Sequence, residues 1–158
     1  MKELNWKPAI MIADNAGFND PAFVKSLGGQ VEGLVNRSAF SAGKPGSVPA
    51  LFNALYKKKT NGDDLDDVSV RGLQAFMVLV DALNRAGSTE PAKIQAALKA
   101  TNLPAEQMVA GYDGVKFDDK GQNVLAASVV TQMRGGKYVT IAPKERATDT
   151  VILPYKGW

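Results

Sequence analysis

The sequence predicts an α/β protein. A short apolar strand, a helix and a second strand follow one another within the first 38 residues, and three amphipathic helices occupy the middle of the chain. After Tyr112 the spacing of the apolar residues changes to every second position, which is typical of strands. A compact chain of 158 residues removes roughly 68–70% of its unfolded surface from water, so a core is expected.

The first part of the chain predicts a strand–helix–strand unit. Residues 9–13 form an apolar strand that ends at the polar stretch "DNAGFND". The next segment, "NDPAFVKSLGG", predicts a helix because Asp20 can cap it, Pro21 suits its first position and Gly28 can end it. Residues 31–38 predict the second strand, and such a unit pairs its strands in parallel with a right-handed crossover.

A segment rich in Gly, Ser and Pro, residues 39–47, predicts a linker or hinge before a helical block. Helices are predicted within "VPALFNALYKKKT", "DDVSVRGLQAFMVLVDALNRAG" and "STEPAKIQAALKAT". The second of these is so apolar that we expect it to be mostly buried. Its predicted core face consists of Val70, Leu73, Phe76, Met77, Val80 and Leu83.

The last part predicts two hairpins and an extended tail. In "GVKFDDKGQNVL" the bend is expected over residues 118–121, and in "SVVTQMRGGKYVTIAP" it is expected at Gly135 and Gly136. The tail "TVILPYKGW" predicts a short extended strand that its proline limits.

The composition argues against several classes of function. The chain has no Cys and no His, which removes thiolate chemistry, the usual zinc ligands and the commonest general base. The net charge of +3 is not gathered on a dense basic face with aromatic readers, so no nucleic-acid partner is expected. The acidic stretch "DDLDD" lacks the Gly and Glu of a calcium loop and predicts a solvated helix entry. We therefore predict no catalytic residues, no metal ligands and no cofactor.

No apolar run approaches the roughly 20 residues of a membrane span. Near the N-terminus, Glu3, Asn5 and Lys7 interrupt any apolar stretch, so this chain is expected to carry no signal peptide.

The loop that follows the first strand is the candidate site. In open α/β sheets, ligands bind outside the carboxyl ends of the strands. A plain connection, in which Asp14 and Asn15 form turn hydrogen bonds, is the alternative. "IADN" is also similar to the acidic strand end of receiver domains, so a receiver-like signalling domain or a small enzyme that uses Asp14 is a second alternative. That alternative requires a continuing βα series, whereas three helices and two hairpins follow Ser47.

Several segments in order carry a resemblance to a known family: "MKELNWKP", "IADNAGFNDPAF", "EGLVNRSAF", "FNALYKKKT", "RGLQAFMVLVDALNRAGSTEPAKIQAALKAT", "GVKFDDKGQN", "GGKYVTIAP" and "ILPYKGW". Together they closely resemble the C-terminal part of ABC-transporter periplasmic solute-binding proteins of the branched-chain amino-acid (Leu/Ile/Val) type. That family has the type I periplasmic-binding fold, in which two α/β lobes close on a small ligand.

The resemblance implies a partial two-lobed structure with truncated sheets. Residues 1–38 would be a βαβ segment of the second lobe and residues 39–47 a hinge crossover. Residues 48–123 would be a helical segment of the first lobe, and residues 124–158 would supply the C-terminal strands of the second lobe.

The resemblance also implies a function. The chain would be the small-molecule binding subunit of an ABC importer, a periplasmic protein that is not an enzyme and whose partner is a membrane permease. Its ligand would be an amino acid or a small organic or aromatic acid. The positions that match the family's ligand loop are Asp14, Asn15, Ala16, Gly17 and Phe18, and the ring of Phe18 could stack on an aromatic ligand.

A fragment of such a receptor would expose strand edges and apolar faces that a complete receptor covers. We therefore expect a homo-oligomer or a segment-swapped dimer. A self-associating fragment without ligand activity is the remaining alternative.

Overall fold

The computed structural model describes residues 2–157 and shows a mixed α/β fold with partial sheets. The helices are α1 (Pro21–Leu27), α2 (Val48–Lys59), α3 (Asp67–Ala86) and α4 (Pro91–Lys99). The strands are β1 (Ile12–Ala13), β2 (Val35–Ser38), β3 (Asn102–Pro104), β4 (Gly114–Lys116), β5 (Val129–Arg134) and β6 (Lys137–Ala142). In the described part of the chain, no helix is both long enough and apolar enough to cross a membrane.

The main sheet has four strands in the order β1-β2-β5-β6. Strand β1 pairs with β2 in parallel, which confirms the predicted strand–helix–strand unit, while β2–β5 and β5–β6 are antiparallel. Among residues 2–157, β1–β2 is the one parallel pair. A receiver-like domain needs a series of parallel strands, so this topology argues against that alternative.

The ends of α1 confirm the local prediction. The side chain of Asp20 accepts a hydrogen bond from the Ala22 N–H at 2.7 Å, Pro21 opens the helix, and Gly28 follows it with φ of 53°. Both strands are shorter than predicted. Strand β2 begins only at Val35, because residues 28–31 form a 3-10 turn and Gly33 has φ of 85°. A left-handed backbone at Gly33 is incompatible with a regular strand.

The predicted core face of α3 is wrong in part. The buried stripe is formed by Val70, Gln74, Val78 and Ala82, whereas Phe76 is 63% exposed and Val80 is 38% exposed. The helix turns Gln74 inward because its Oε1 accepts hydrogen bonds from Val109 N at 2.8 Å and Ala110 N at 3.2 Å. Buried backbone N–H groups require such an acceptor, and this requirement is invisible in the apolar pattern of the helix.

The two predicted bends are confirmed, but the predicted tail strand is wrong. The Asp118 side chain accepts from the N–H groups of Lys120 and Gln122, and Gly135 and Gly136 join β5 to β6 with positive φ. Within residues 143–157 the structure contains no strand. The tail is held instead by the buried side chain of Gln132.

Three apolar clusters are buried in the described part of the chain, and two of them lie next to the main sheet and the segment that leaves it. One lies under the main sheet and contains Ala13, Val31, Leu34 and Met133. The other joins the segment after β2 to the helices and contains Ala39, Leu65, Val70, Val109 and Ala110. They lie mostly in segments that the sequence analysis assigns to different lobes, and those lobe boundaries stay a prediction.

The orientation of α3 can be tested with one substitution at two sites. Val70 is fully buried, and Val68 on the same helix is 64% exposed. Val70→Ala is expected to lower the free energy of unfolding by about 1–3 kcal/mol, because it removes two buried methyl groups and leaves a cavity. Val68→Ala is expected to change it by less than about 0.5 kcal/mol. Urea unfolding measures both, and equal losses would contradict the orientation described here.

Candidate ligand-binding site

Three polar residues from distant parts of the sequence meet at one edge of the main sheet. Asp14 follows β1, Arg37 lies near the end of β2, and Ser128 directly precedes β5. The parallel register pairs Ala13 with Asn36, and the antiparallel register pairs Ser38 with the first residue of β5. The ends of β1 and β2 and the start of β5 therefore lie side by side. We call Asp14, Arg37 and Ser128 the carboxyl-edge cluster.

An ion pair forms the centre of this cluster. The Nε of Arg37 donates to Oδ1 of Asp14, and the Nη1 of Arg37 donates to the Ser128 hydroxyl at 3.3 Å. The side chain of Asp14 is 68% exposed and that of Arg37 is 49% exposed. An ion pair this exposed stabilises the fold by only about 0–1 kcal/mol. Both groups can therefore exchange partners with a ligand at little cost.

The loop from Asp14 to Phe18 is held by short-range and long-range hydrogen bonds. The Asn15 side chain accepts from the Gly17 N–H at 2.9 Å and caps a 3-10 turn over Ala16–Asn19. The side-chain amide of the buried Asn36 donates to the Asn15 carbonyl at 3.3 Å. This turn is the connection expected in the plain-loop alternative, but it leaves the Asp14 carboxylate accessible at the sheet edge.

Phe18 is half-buried and belongs to the packing beneath the loop. Its ring meets that of Phe23 edge to face, with 5.2 Å between ring centroids and an interplanar angle of 83°. Its carbonyl accepts a hydrogen bond from the Tyr138 hydroxyl at 2.8 Å. Burial raises the pKa of Tyr138 to about 12, so this phenol stays protonated and continues to donate at physiological pH.

A cavity of about 370 Å³ lies beside the loop, within the size range of small-molecule sites. One wall is formed by Asn19, Val24, Thr131 and Tyr138, which come from α1, the sheet and the turn before α1. The other wall is formed by the linker, the end of α2, the α2–α3 loop and the start of α3, and it includes Phe40, Ser41, Lys57, Asp64 and Asp67. The five predicted ligand residues, Asp14 to Phe18, do not line this cavity. Asn19, directly after them in the chain, does. Their assignment to a ligand stays a prediction.

Two acidic residues of the cavity wall are already paired within the fold. Burial would raise the pKa of Asp64, but hydrogen bonds from Lys57 at 2.6 Å and Asn53 at 2.7 Å outweigh it and lower that pKa. Asp67 is buried and paired with Arg71, so this part of the acidic stretch is not solvated as predicted. Among the residues that the structure describes, no three acidic side chains are grouped so that they could hold a metal ion.

Sequence reasoning identified Asp14 but missed Arg37 and Ser128. The three residues are brought together by pairing between strands that lie 23 and 91 residues apart in the chain. One feature of the sequence could have indicated Arg37. The strand "VNRS" has this charged residue next to its end, and polar residues also stand at the ends of the neighbouring strands.

Comparisons with known proteins relate this architecture to one class of receptor. No family model matches the chain. It is 28% identical over 156 residues to the Leu/Ile/Val-binding protein homolog 7 of Brucella abortus, covering 96% of this chain and 39% of that protein. It is 29% identical over 149 residues to the Leu/Ile/Val-binding protein homolog 8 of the same species, covering 92% of this chain and 37% of that protein.

The solved structure of a leucine-binding protein, LivK, from Thermotoga maritima is similar with a TM-score of 0.69 and 26% identity. The match covers 89% of this chain and 38% of that one. The chain resembles the solute-binding proteins of branched-chain amino-acid ABC transporters. This similarity confirms the predicted resemblance and the partial type I periplasmic-binding fold. The chain spans about 39% of the length of the solute-binding relative from Brucella abortus.

The support that Tyr138 gives to the loop predicts a pH dependence. Burial raises the pKa of Tyr138 from 10.0 to about 12, so the folded state holds a proton that the unfolded state loses first. The corresponding stability is fully present below pH 10 and is lost as the pH rises towards 12. Tyr138→Phe should remove the part of the stability loss at high pH that comes from ionisation of Tyr138.

Urea unfolding at pH 8 and pH 11 tests this. The free energy of unfolding should decrease more between pH 8 and pH 11 in the unsubstituted protein than in Tyr138→Phe. A smaller decrease in the free energy of unfolding is expected in the variant, because burial also raises the pKa of Tyr155. Identical decreases in both proteins would show that Tyr138 is not protected by the fold.

Proposed function

We propose that this chain is part of a receptor that binds a small molecule and delivers it to the permease of an ABC importer. The observation that carries the proposal is the exposed Asp14–Arg37 pair at the carboxyl edge of the parallel strands, where open α/β sheets bind ligands. The similarity to solute-binding proteins over almost the whole chain supports it. In this proposal the chain acts by binding and not by catalysis.

The proposed ligand is an amino acid or a small organic or aromatic acid. The names of the similar proteins refer to leucine, isoleucine and valine, which are small molecules with a carboxylate. The loop of Asp14, Asn15, Ala16, Gly17 and Phe18 is proposed to contact the ligand from one side. Its polar edge would hold the charged group, and its aromatic residue would lie against the ligand body.

The proposed lobes follow the sequence boundaries. Residues 1–38 and 124–158 would form the second-lobe part, residues 48–123 the first-lobe part, and residues 39–47 the hinge. The cavity supports this division, since its walls come from both proposed lobes and from the hinge residues Phe40 and Ser41. Closure of such a cavity around a ligand is the motion of a hinged receptor. The proposed location is the periplasm, where receptors of this kind meet their permease.

Self-association is a second candidate activity, and exposed apolar side chains favour it. The structure exposes Leu51 and Leu55, one turn apart on α2, and Phe76, Leu79 and Val80, which share one face of α3. Apolar side chains grouped on a surface are typical of faces that pack against another chain. A homo-oligomer or segment-swapped dimer of this chain would cover them.

Ligand binding is tested by thermal unfolding and calorimetry with a panel of branched-chain amino acids and aromatic acids. At least one member is expected to raise the unfolding temperature of the chain. Asp14→Asn should change the dissociation constant of that ligand by about threefold or more, because it alters the charge at the proposed site. The control is Asp119→Asn, the same change at an exposed position in a hairpin turn. Indifference to the whole panel, or equal effects of both variants, would exclude this site.

Self-association is tested by light scattering. We expect a particle of at least twice the chain mass of 16.8 kDa. Phe76→Lys should shift the mass towards the monomer, because it places a charge on the exposed apolar face. Asn84→Lys, a change at an exposed polar position of the same helix, should leave the mass unchanged. A monomer at about 100 μM would rule out the oligomer, since weaker association has little role at ordinary concentrations.

A further inference from the structure

Helix α3 has an apolar face that is turned towards solvent. Four of its residues, spaced four, three and four positions apart, form a line along the helix: Gly72, Phe76, Leu79 and Leu83. Phe76 is 63% exposed and Leu79 is 42% exposed. This spacing is that of the contact line between two paired helices, so the face has the pattern of a helix that packs against another helix.

The charged residues of α3 all lie on its other side. Asp67 pairs with Arg71 at 3.0 Å, and Asp81 pairs with Arg85 at 2.7 Å. Arg85 also donates to the Ala97 carbonyl at 2.6 Å, which connects it to α4. A helix at a protein surface normally has charged residues on its outer face, whereas the outer face of α3 has none. An outer face of this kind is typical of a surface that another chain covers.

Gly72 leaves a gap in this face. Apart from the helix backbone around it, no described atom lies within 4 Å of the place that a Cβ would occupy. Glycine weakens the interior of a helix relative to alanine, and no contact inside the chain requires it at this position. Leu83, about three turns further along the same line, is a large residue. The line therefore has a small residue at one end and a large one at the other.

Two copies of this face fit together when their helices run in opposite directions. Leu83 of one copy then lies opposite Gly72 of the other, and Phe76 lies opposite Leu79. Each contact occurs twice, because a two-fold axis relates the copies. Helices that run in the same direction would place Gly72 opposite Gly72, and the void there would lose packing contacts. The order of residue sizes along α3 therefore favours the antiparallel pair.

We propose that α3 is the interface of a symmetric dimer, in which its apolar face packs antiparallel against the same face of a second copy of this chain. The inference rests on the proposed self-association and gives it a surface and a geometry. Because the face contains no charged residue, two copies can meet without burying an unpaired charge.

The length of α3 sets the expected strength of the dimer. A helix of 20 residues is about 30 Å long, and two of them in contact over that length bury on the order of 1,000 Å² in total. That area is at the lower limit of specific interfaces, so we expect a dissociation constant on the order of 10 μM.

Single cysteine variants test the geometry, because the chain has no cysteine of its own. Leu79 lies next to the two-fold axis of the proposed dimer, so Leu79→Cys should form a disulfide-linked dimer under mild oxidation. The two copies of Val68 would lie roughly 30 Å apart, whereas a disulfide joins Cα atoms less than about 7 Å apart. Val68→Cys should therefore stay unlinked. The control Asn84→Cys, at an exposed position of α3 outside the face, should also stay unlinked. Non-reducing electrophoresis after oxidation at about 100 μM chain measures the linkage.

A charge placed at the gap tests the contact itself. Gly72→Glu should weaken the dimer by about tenfold or more, because the new carboxylate would be buried opposite Leu83 without a partner. It should not weaken the fold of the single chain, since the position is open and glutamate favours a helix more than glycine does. The control Asn84→Glu should leave the dissociation constant within about twofold. Light scattering over a dilution series measures association, and circular dichroism checks that each variant is folded.

The outcomes separate this inference from the proposed functions. Linkage of both Leu79→Cys and Val68→Cys would indicate a parallel pair and overturn the inference. A dimer that Gly72→Glu leaves intact, with Leu79→Cys unlinked, would place self-association on another surface and would also overturn it. A monomer at about 100 μM would overturn the inference and the self-association candidate together, and would leave the face to a different polypeptide. The ligand-binding proposal is measured with ligands and is independent of these results.

Discussion

A buried carboxylate, Asp67, connects the sheet to the helices, and the rest of the fold depends on it. Its side chain accepts from the backbone N–H of Ala39, directly after β2, and from two nitrogens of Arg71, one turn further along α3. Arg71 also donates to the Tyr112 hydroxyl. A buried charge is tolerated only when it is paired and hydrogen-bonded, and these contacts meet that requirement. The hydrogen bond to Asp67 raises the pKa of Arg71, which keeps this guanidinium charged.

This connection fixes where the site can form. Strand β2 is paired with β1 on one side and β5 on the other, and Asp67 holds the residue that follows it. The carboxyl edge of the sheet and the cavity beside it therefore share one rigid support. The backbone places this end of the sheet, while single side chains such as Arg37 give it its charge.

The elements that sequence reasoning placed correctly are those with local causes. The cap of α1 at Asp20 and the turn at Gly135 and Gly136 depend on residues within a few positions of each other. The face of α3 was not predictable in the same way. The pattern of apolar residues predicted that Phe76 faces the core. The core face contains the polar Gln74 instead, because the buried N–H groups of residues 109 and 110 need its side-chain oxygen as an acceptor. The prediction of a strand in the tail was wrong for a similar reason, because the tail is hydrogen-bonded to the side chain of Gln132 on a distant strand.

By itself the sequence determined the α/β class, the order of the helices, the position of the loop after β1 and the resemblance to solute-binding proteins, because each depends on short-range patterns. Only the tertiary structure decided that Arg37 and Ser128 join Asp14, and that Asp67 is buried instead of solvated. The physical reason is the pairing of strands. The register between distant segments, such as those that contain Arg37 and Ser128, 91 residues apart, decides which side chains meet, and no local pattern contains that register.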